Sequence, residues 1–431
     1  MCVGYIPYAP AAVSVEAGWL AAGLRSRVEI GAFRHSLNLR DHENLPDASR
    51  LRSDFEPLCA HPWVVAEGIG GFLWAAVARA NGFSGAFTVL PYLNPTSWFD
   101  LTAIAVYRRY ADRRDRVFVG STPSARIYRA LGINATVGEP FGIDCDVFRP
   151  RDGARAVRPQ LGIGLTGSLL LFAGRVEPDK DLHRLLSVAL KARLLFPDLQ
   201  VVIATHVVDR EYLPLLSRLF AGESGLHLVV DPSREQLARL YNAANAFVTA
   251  STSHFETFGR AAAEALACGT IAIAPCYDGF AEVLAQVGGS LVDVEIETGV
   301  PRVSEASLLR AIYEALSFPP RASAEEISSV ACQRFCRSRN LRLLSYLADA
   351  TTETPNGNVE IRGFDLQIPQ EWRTAARGMD AMQPSDALSH LWNWRDHRAL
   401  SLFNEPFRAA VRNILAKAAF ELSRTAGAPC L

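Results

Sequence analysis

The chain has 431 residues, of which 49% are hydrophobic and 21% are charged. These values are typical of globular domains with ample cores, and the length indicates two or three of them. A formal net charge of −1 gives no support to nucleic-acid binding or to a polybasic membrane anchor.

Two further absences bear on the compartment. The first residues show no charged n-region followed by an apolar h-region, so we expect no signal peptide, and no apolar run is long enough for us to expect a transmembrane segment. The eight cysteines include no CxxC pair and no zinc-ligand spacing, so we expect reduced thiols. Together these features predict a cytoplasmic protein.

Residues 1–150 are predicted to form a first Rossmann-like domain. Short apolar runs alternate with helical patterns, which favours a doubly wound, mostly parallel α/β sheet. The predicted strands are 3–8, 27–33, 63–66, 86–90 and 117–119, and the predicted helices include 15–24, 72–79, 98–110 and 123–131. In such a sheet the binding crevice lies at the carboxyl ends of the strands.

The segment 141–150 breaks this alternation, and 151–165 is polar and rich in glycine, as in an interdomain linker. Asp144 and Asp146 in this segment are predicted to stabilise a turn.

Residues 151–330 are predicted to form a second Rossmann-like domain, and 331–431 to form closing helices and a helical C-terminal extension. The strands of the second domain read SLLLFAG, QVVIAT, LHLVVD, AFVTAS, TIAIAP and SLVDV. The predicted helices are 180–196, 211–220, 234–244, 257–267, 305–316, 324–350 and 406–424.

One stretch of the second domain, 249–275, carries the first constellation of candidate site residues. It reads as a strand, a polar loop, a helix over 257–268, a C-terminal Gly269 and a further strand. Glu256 at the helix mouth and Glu264 within the helix are about two turns apart. Backbone N–H groups near Gly259 that have no partner within the helix would favour binding of an anion, and the two carboxylates would accept hydrogen bonds from sugar hydroxyls. This pattern suits a sugar nucleotide; an ordinary N-capped helix is the alternative.

A second constellation, Gly174, Arg175 and Lys180, follows a predicted strand and precedes a helix. An arginine fork and a lysine point charge at this place could hold a diphosphate. The motif alone is equally compatible with an alternative, in which Arg175 and Lys180 are two surface charges and Arg175 is paired to Glu177.

Taken together, these motifs resemble the nucleotide-sugar site of retaining GT-B glycosyltransferases of group 1 (family four), which are related to sucrose synthase and glycogen synthase. The resemblance rests on Gly174-Arg175 with Lys180, on Glu256-Thr257-Phe258-Gly259 with Glu264, and on the run ALACGT at 265–270. The segment 142–150 is similar to the interdomain segment of that group. The implied fold is GT-B: two Rossmann-like doubly wound domains with a cleft between them.

The resemblance also implies roles for individual residues. Arg175 and Lys180, after Gly174, would bind and stabilise the donor diphosphate. Glu256 would bind donor sugar hydroxyls beside the amides of Thr257, Phe258 and Gly259, Glu264 would hold the ribose hydroxyls, and Asp231 would line the nucleobase.

The first domain departs from the group. The segment 7–12 reads PYAPAA where members usually have a Gly-rich loop, and 89–94 reads VLPYLN where many members carry a histidine. Tyr92 or Asn94 is therefore a candidate replacement for that histidine.

The predicted function is that of a retaining glycosyltransferase. It would move a sugar from a nucleoside-diphosphate sugar, linked to UDP or GDP, to a hydroxyl of a small-molecule or saccharide acceptor, without a metal cofactor. A sugar-nucleotide epimerase, a phosphorylase and a catalytically inactive GT-B binding subunit are the alternatives, and homo-oligomerisation is left open.

Overall fold

A computed structural model describes most of the chain between residues 61 and 338 and two short strands before it. The described residues are 2–6, 29–32, 61–80, 83–95, 100, 103, 104, 107, 108, 110–138, 142–153, 156, 158, 159, 163, 164, 166–177, 180–206, 225–253, 256–285, 289–297, 300–318 and 320–338. The predicted helices 15–24, 211–220 and 406–424 lie outside them. The chain divides into two compact units, unit 1 from 1–140 with 340–421 and unit 2 from 141–339 with 422–431.

Unit 1 contains a six-stranded parallel sheet in the order β2-β1-β3-β4-β5-β6. Its strands are β1 (Cys2–Ile6), β2 (Glu29–Ala32), β3 (Trp63–Glu67), β4 (Ala86–Leu90), β5 (Arg116–Val119) and β6 (Ala135–Val137). Its fully described helices are α1 (Gly70–Ala80) and α2 (Thr122–Ala130). Every residue of the central strands β3 and β4 is buried, which explains why they read as apolar runs.

Unit 2 has the same architecture, with strand order β12-β11-β10-β7-β8-β9 and an added hairpin. The sheet strands are β7 (Leu169–Ala173), β8 (Gln200–Thr205), β9 (Leu226–Val230), β10 (Ala246–Val248), β11 (Ile271–Pro275) and β12 (Ser290–Val292). The helices are α3 (Leu182–Arg193), α4 (Arg234–Ala243), α5 (Arg260–Ala267), α6 (Gly279–Leu284), α7 (Glu305–Ser317) and α8 (Ala324–Phe335). The antiparallel hairpin, β13 (Val294–Glu297) and β14 (Val300–Val303), was not predicted.

The sheet of unit 2 separates two apolar clusters. Leu169 and Leu171 on β7 face one cluster, which includes α4, α5 and α8, and Leu170 faces the other, with α3 and α7. This alternation follows from the period of two along a strand. Helices on both faces confirm the predicted doubly wound α/β class.

Helix α5 begins three residues later than the sequence predicts. Gly259 precedes it with a φ of 81°, in the left-handed region, so the helical conformation starts only at Arg260. A Cβ at residue 259 would also lie 2.7 Å from the Phe280 ring. Glycine is therefore required here by backbone and by packing, and the predicted start at Thr257 was wrong. Gly269 ends the helix with a φ of 77°, as predicted.

The prediction of reduced thiols is wrong for two cysteines. Cys145 and Cys332 form a disulfide between residues 187 positions apart, with their Cα atoms 6.0 Å apart. It joins the segment after Phe141 to α8, where Ile143 N–H donates to the Phe335 carbonyl at 2.8 Å. Because disulfides are rare in the cytosol, the predicted cytoplasmic location loses its cysteine argument and stays a prediction. Among the described helices, none has the length and apolar character needed to cross a membrane.

Candidate functional site

Lys180 and Glu256, 76 residues apart in the chain, form an ion pair in unit 2. Lys180 follows β7 and Glu256 follows β10, and these neighbouring parallel strands bring their carboxyl ends to one edge of the sheet. The Lys180 ammonium donates to Glu256 Oε1, with side chains 8% and 19% exposed. The Coulomb attraction in an ion pair so far removed from water is less screened than in a pair on the surface.

Arg175 forms an ion pair with Glu177, and the two side chains are 38% and 26% exposed. This is the pairing given by the alternative interpretation of the motif. Gly174, immediately after β7, donates its N–H to the Ala204 carbonyl at 3.0 Å and so keeps this segment at the sheet edge. Arg175 thus lies at the predicted place, paired to a carboxylate.

The segment Thr257–Gly259 contributes backbone to the candidate site, because its side chains belong to the core. Thr257 and Phe258 are buried, and the Phe258 ring meets Phe335 edge-on at 5.6 Å. A Cβ on Gly279 would lie 2.5 Å from Phe258 Cα, so the segment is packed closely against α6. The first-turn N–H groups of α5 follow directly, and such groups favour anions.

Glu264 lies on α5, one turn after Arg260, and is partly buried. Tyr241, fully buried on α4, donates its hydroxyl to Glu264 Oε2 at 3.4 Å. Removal of water raises the pKa of Glu264 above its ordinary value, and the charges of Arg260 and Arg234 oppose that rise. A carboxylate in this setting can accept two hydroxyl hydrogen bonds.

A buried carboxylate near Glu264 was predicted only as a turn residue. Asp144 accepts the N–H of Asp146 at 3.3 Å, which confirms the turn. It is also 5% exposed and lies 2.7 Å from Arg337 and 3.2 Å from Arg234. Arg234 thus connects the interdomain segment to the surroundings of Glu264. In the sequence, Arg234 is marked only by its place after Ser233, the N-cap of α4.

Asp231 lies apart from these residues along the sheet edge. It follows β9, which is two strands from β7 in the sheet and so about 10 Å away. Its backbone is left-handed, with a φ of 51°, its side chain is 72% exposed, and it lies 3.6 Å from His206. Its predicted contact with a nucleobase stays a prediction.

In unit 1, both candidate replacements for the missing histidine follow β4. Tyr92 has a φ of 62°, and Leu93 N–H donates to the Pro91 carbonyl at 2.7 Å across it, which is a γ-turn of the rare, strained kind. Its hydroxyl donates at 2.5 Å to Glu67 at the end of β3, and Asn94 is buried beside this turn in the chain.

Within the described ranges, no group of His, Cys, Asp and Glu could hold a metal ion. Metal independence of the chemistry stays a prediction.

Solved structures define the class of fold. The chain is similar to the sucrose-phosphate synthase of Thermosynechococcus elongatus, with a TM-score of 0.64 and 18% identity over 81% of this chain and 98% of that one. It is similar to Anabaena HepE in complex with UDP and glucose, with a TM-score of 0.65 and 17% identity over 81% and 100%. The fold is GT-B, as predicted.

A family model matches part of the second unit. Residues 154–306 match the family described as "Glycosyl transferases group 1", the group that the sequence motifs resemble. The D-inositol 3-phosphate glycosyltransferase of Mycobacterium avium (strain 104) is 33% identical over 230 residues, which is 50% of this chain and 51% of that protein. Its counterpart in Mycobacterium leprae (strain Br4923) is 32% identical over 181 residues, 40% of each chain. The chain spans about half the length of these curated relatives, or less.

Proposed function

We propose that this protein is a retaining glycosyltransferase that moves a sugar from a nucleoside-diphosphate sugar to an acceptor hydroxyl. The observation that carries the proposal is the Lys180–Glu256 pair. It lies at the carboxyl edge of the sheet, in the region that matches group 1, beside the segment that leads into α5. This edge is where open α/β sheets bind their ligands.

The proposed chemistry depends on charge at the leaving phosphate. When the bond between the sugar C1 and the phosphate oxygen breaks, negative charge gathers on the β-phosphate. Lys180, assisted by Arg175, would stabilise that charge more than it stabilises the ground state. The donor diphosphate would then replace Glu256 as the partner of Lys180. The freed Glu256 carboxylate would accept hydrogen bonds from the sugar hydroxyls.

Retention of configuration requires the acceptor hydroxyl to enter on the face from which the phosphate leaves. In the proposed step the acceptor oxygen bonds to C1, and its proton passes to the departing phosphate oxygen. The enzyme then needs no nucleophile of its own, and its side chains act by position and charge.

UDP is the first donor nucleotide to test, since the similar HepE structures contain UDP or UDP-glucose. GDP remains the second. The relatives named D-inositol 3-phosphate glycosyltransferase make a phosphorylated cyclitol the first acceptor to test.

The experiment is a UDP-release assay on the full chain with UDP-glucose, with and without D-inositol 3-phosphate or glucose. Acceptor-dependent release, with a product of the same anomeric configuration as the donor by NMR, supports the proposal. Epimerised UDP-sugar without acceptor would indicate an epimerase, and turnover that requires inorganic phosphate would indicate a phosphorylase. Donor binding without any turnover would indicate an inactive binding subunit.

A further inference from the structure

The hairpin β13–β14 is attached to both loops that carry the Lys180–Glu256 pair. Arg302 on β14 lies 2.8 Å from Oδ2 of Asp181, the residue after Lys180. The preceding residue, Pro301, accepts a hydrogen bond at 2.7 Å from the hydroxyl of Thr252, in the loop that leads to Glu256. One short hairpin therefore contacts both segments of the candidate site.

Asp181 is an unusual residue by burial and by backbone. It is fully buried and has a φ of 49°, in the left-handed region that few residues other than glycine adopt. Oδ2 also lies 3.4 Å from Arg184, and Oδ1 lies 3.0 Å from His183. A buried carboxylate is stable only with such partners, so the strained backbone at residue 181 depends on the charges around it.

The three side chains that lie close to the Asp181 carboxylate differ in where they come from. Arg184 and His183 belong to the first turn of α3, directly beside Asp181 in the chain. Arg302 comes from 121 residues away and is the partner that ties this turn to another element. The guanidinium of Arg184 donates in addition to the Val303 carbonyl at 2.9 Å, so the first turn of α3 and β14 are joined twice.

We propose that Arg302 is a positioning residue for Lys180. It holds Asp181 in its left-handed conformation and thereby fixes where the Lys180 side chain leaves the backbone. From the other side, Lys180 N–H donates to the Glu177 carbonyl at 3.0 Å, so the backbone of Lys180 is anchored on both sides. The assigned role in catalysis rests on the proposed function, whereas the assigned role in placing Lys180 does not.

Lysine labelling tests the placement directly, because the chain contains only three lysines. The full-length protein is treated with acetic anhydride, and acetylation of each lysine is followed by peptide mass spectrometry. Lys191, whose side chain is 52% exposed, serves as the internal reference for Lys180, which is 8% exposed. In Arg302→Ala we expect Lys180 to react about tenfold faster relative to Lys191, as for loss of one charged hydrogen bond.

Arg310→Ala is the matched control. Arg310 pairs with Asp293 at 3.6 Å next to the same hairpin, and both side chains are more than half exposed. This variant should leave the reactivity of Lys180 unchanged. Arg302→Lys, which keeps a positive charge without the planar fork, should restore part of the protection. Equal Lys180 reactivity in the wild type and Arg302→Ala, with both folded, would overturn the proposal.

A kinetic arm separates positioning from general stability. With UDP-glucose as donor, Arg302→Ala should lower kcat by about tenfold with little change in KM, and Arg302→Lys should recover part of kcat. A lower melting temperature with unchanged kcat would show a purely structural role and refute the positioning role. If the wild type turns over no donor, the proposed function fails, and the labelling result still decides whether Arg302 places Lys180.

Discussion

Replacement of Lys180 by alanine is the perturbation that addresses the proposed chemistry most closely. In the free protein it removes the partner of Glu256, a carboxylate that is only 19% exposed. Leaving that group without its charged hydrogen bond should cost about 1–3 kcal/mol of unfolding free energy. A protein of ordinary stability would stay folded at 25 °C, since the free energy of unfolding is commonly about 5–15 kcal/mol.

The effect on turnover should be larger than the effect on donor binding. A ground-state diphosphate is already anionic and would have the amides at the start of α5 as further partners. Additional charge appears only in the transition state, in a place where the Lys180 side chain is 8% exposed and little screened. By analogy with loss of one oxyanion donor, kcat should fall about 10²–10³-fold.

The assay combines steady-state kinetics with calorimetric titration of the intact donor. Lys191→Ala is the matched control, because Lys191 also pairs with a glutamate, Glu305, but at a half-exposed position. It should leave kcat unchanged, and Lys180→Arg should recover only part of the activity because its planar fork differs from a compact ammonium. A near-normal kcat in Lys180→Ala, with only KM raised, would make Lys180 a ground-state anchor and refute this reasoning.

Four further predictions concern other parts of the protein. Because burial raises the pKa of Glu264, the nucleotide affinity of the wild type should fall as the pH drops through that raised value. The wild type should therefore bind nucleotide more tightly than Glu264→Gln at neutral pH and equally tightly in acid. A difference in affinity that does not change with pH would contradict this. Tyr92→Phe removes the hydrogen bond from Tyr92 to Glu67, and Tyr107→Phe removes the matching bond from Tyr107 to Asp115 in the same unit, so each should cost about 1–3 kcal/mol of unfolding free energy. Only Tyr92→Phe should weaken binding of UDP-glucose relative to UDP, since Tyr92 is a candidate to replace the missing histidine. Reduction of the Cys145–Cys332 disulfide should lower the unfolding free energy in urea by about 2–4 kcal/mol, with no effect of reductant on the double serine variant. Turnover should persist in EDTA; complete loss that magnesium or manganese restores would show that a metal supplies the charge neutralisation.

The sheets could be predicted from the sequence because their central strands are buried on both faces. Such strands appear as continuous apolar runs, as in Leu169–Ala173 and Ile271–Pro275. The hairpin β13–β14 was missed because its strands, VEIE and VPRV, are only four residues long and form no continuous apolar run. The start of α5 was misplaced because nothing in the composition of 257–268 reveals that Gly259 takes a left-handed φ.

The candidate site could be predicted only in part, for a related reason. Single motifs indicated Lys180 and Glu256, but their ion pair depends on β7 and β10 being neighbours. The contacts of Asp181 with Arg302, and of Cys145 with Cys332, join residues more than one hundred positions apart. No spacing rule connects such residues, so they become visible only when the elements are packed.

The most direct test of the central claim is a calorimetric titration of the full chain with UDP and with GDP in EDTA. We expect the wild type to bind one of them. Glu264→Ala, without the charged acceptor for the ribose hydroxyls, should bind the same nucleotide about 1.5–3 kcal/mol more weakly while it stays folded. Absence of binding by either nucleotide, or equal affinity in Glu264→Ala, would contradict the assignment of a nucleotide-sugar site to this edge of the second sheet.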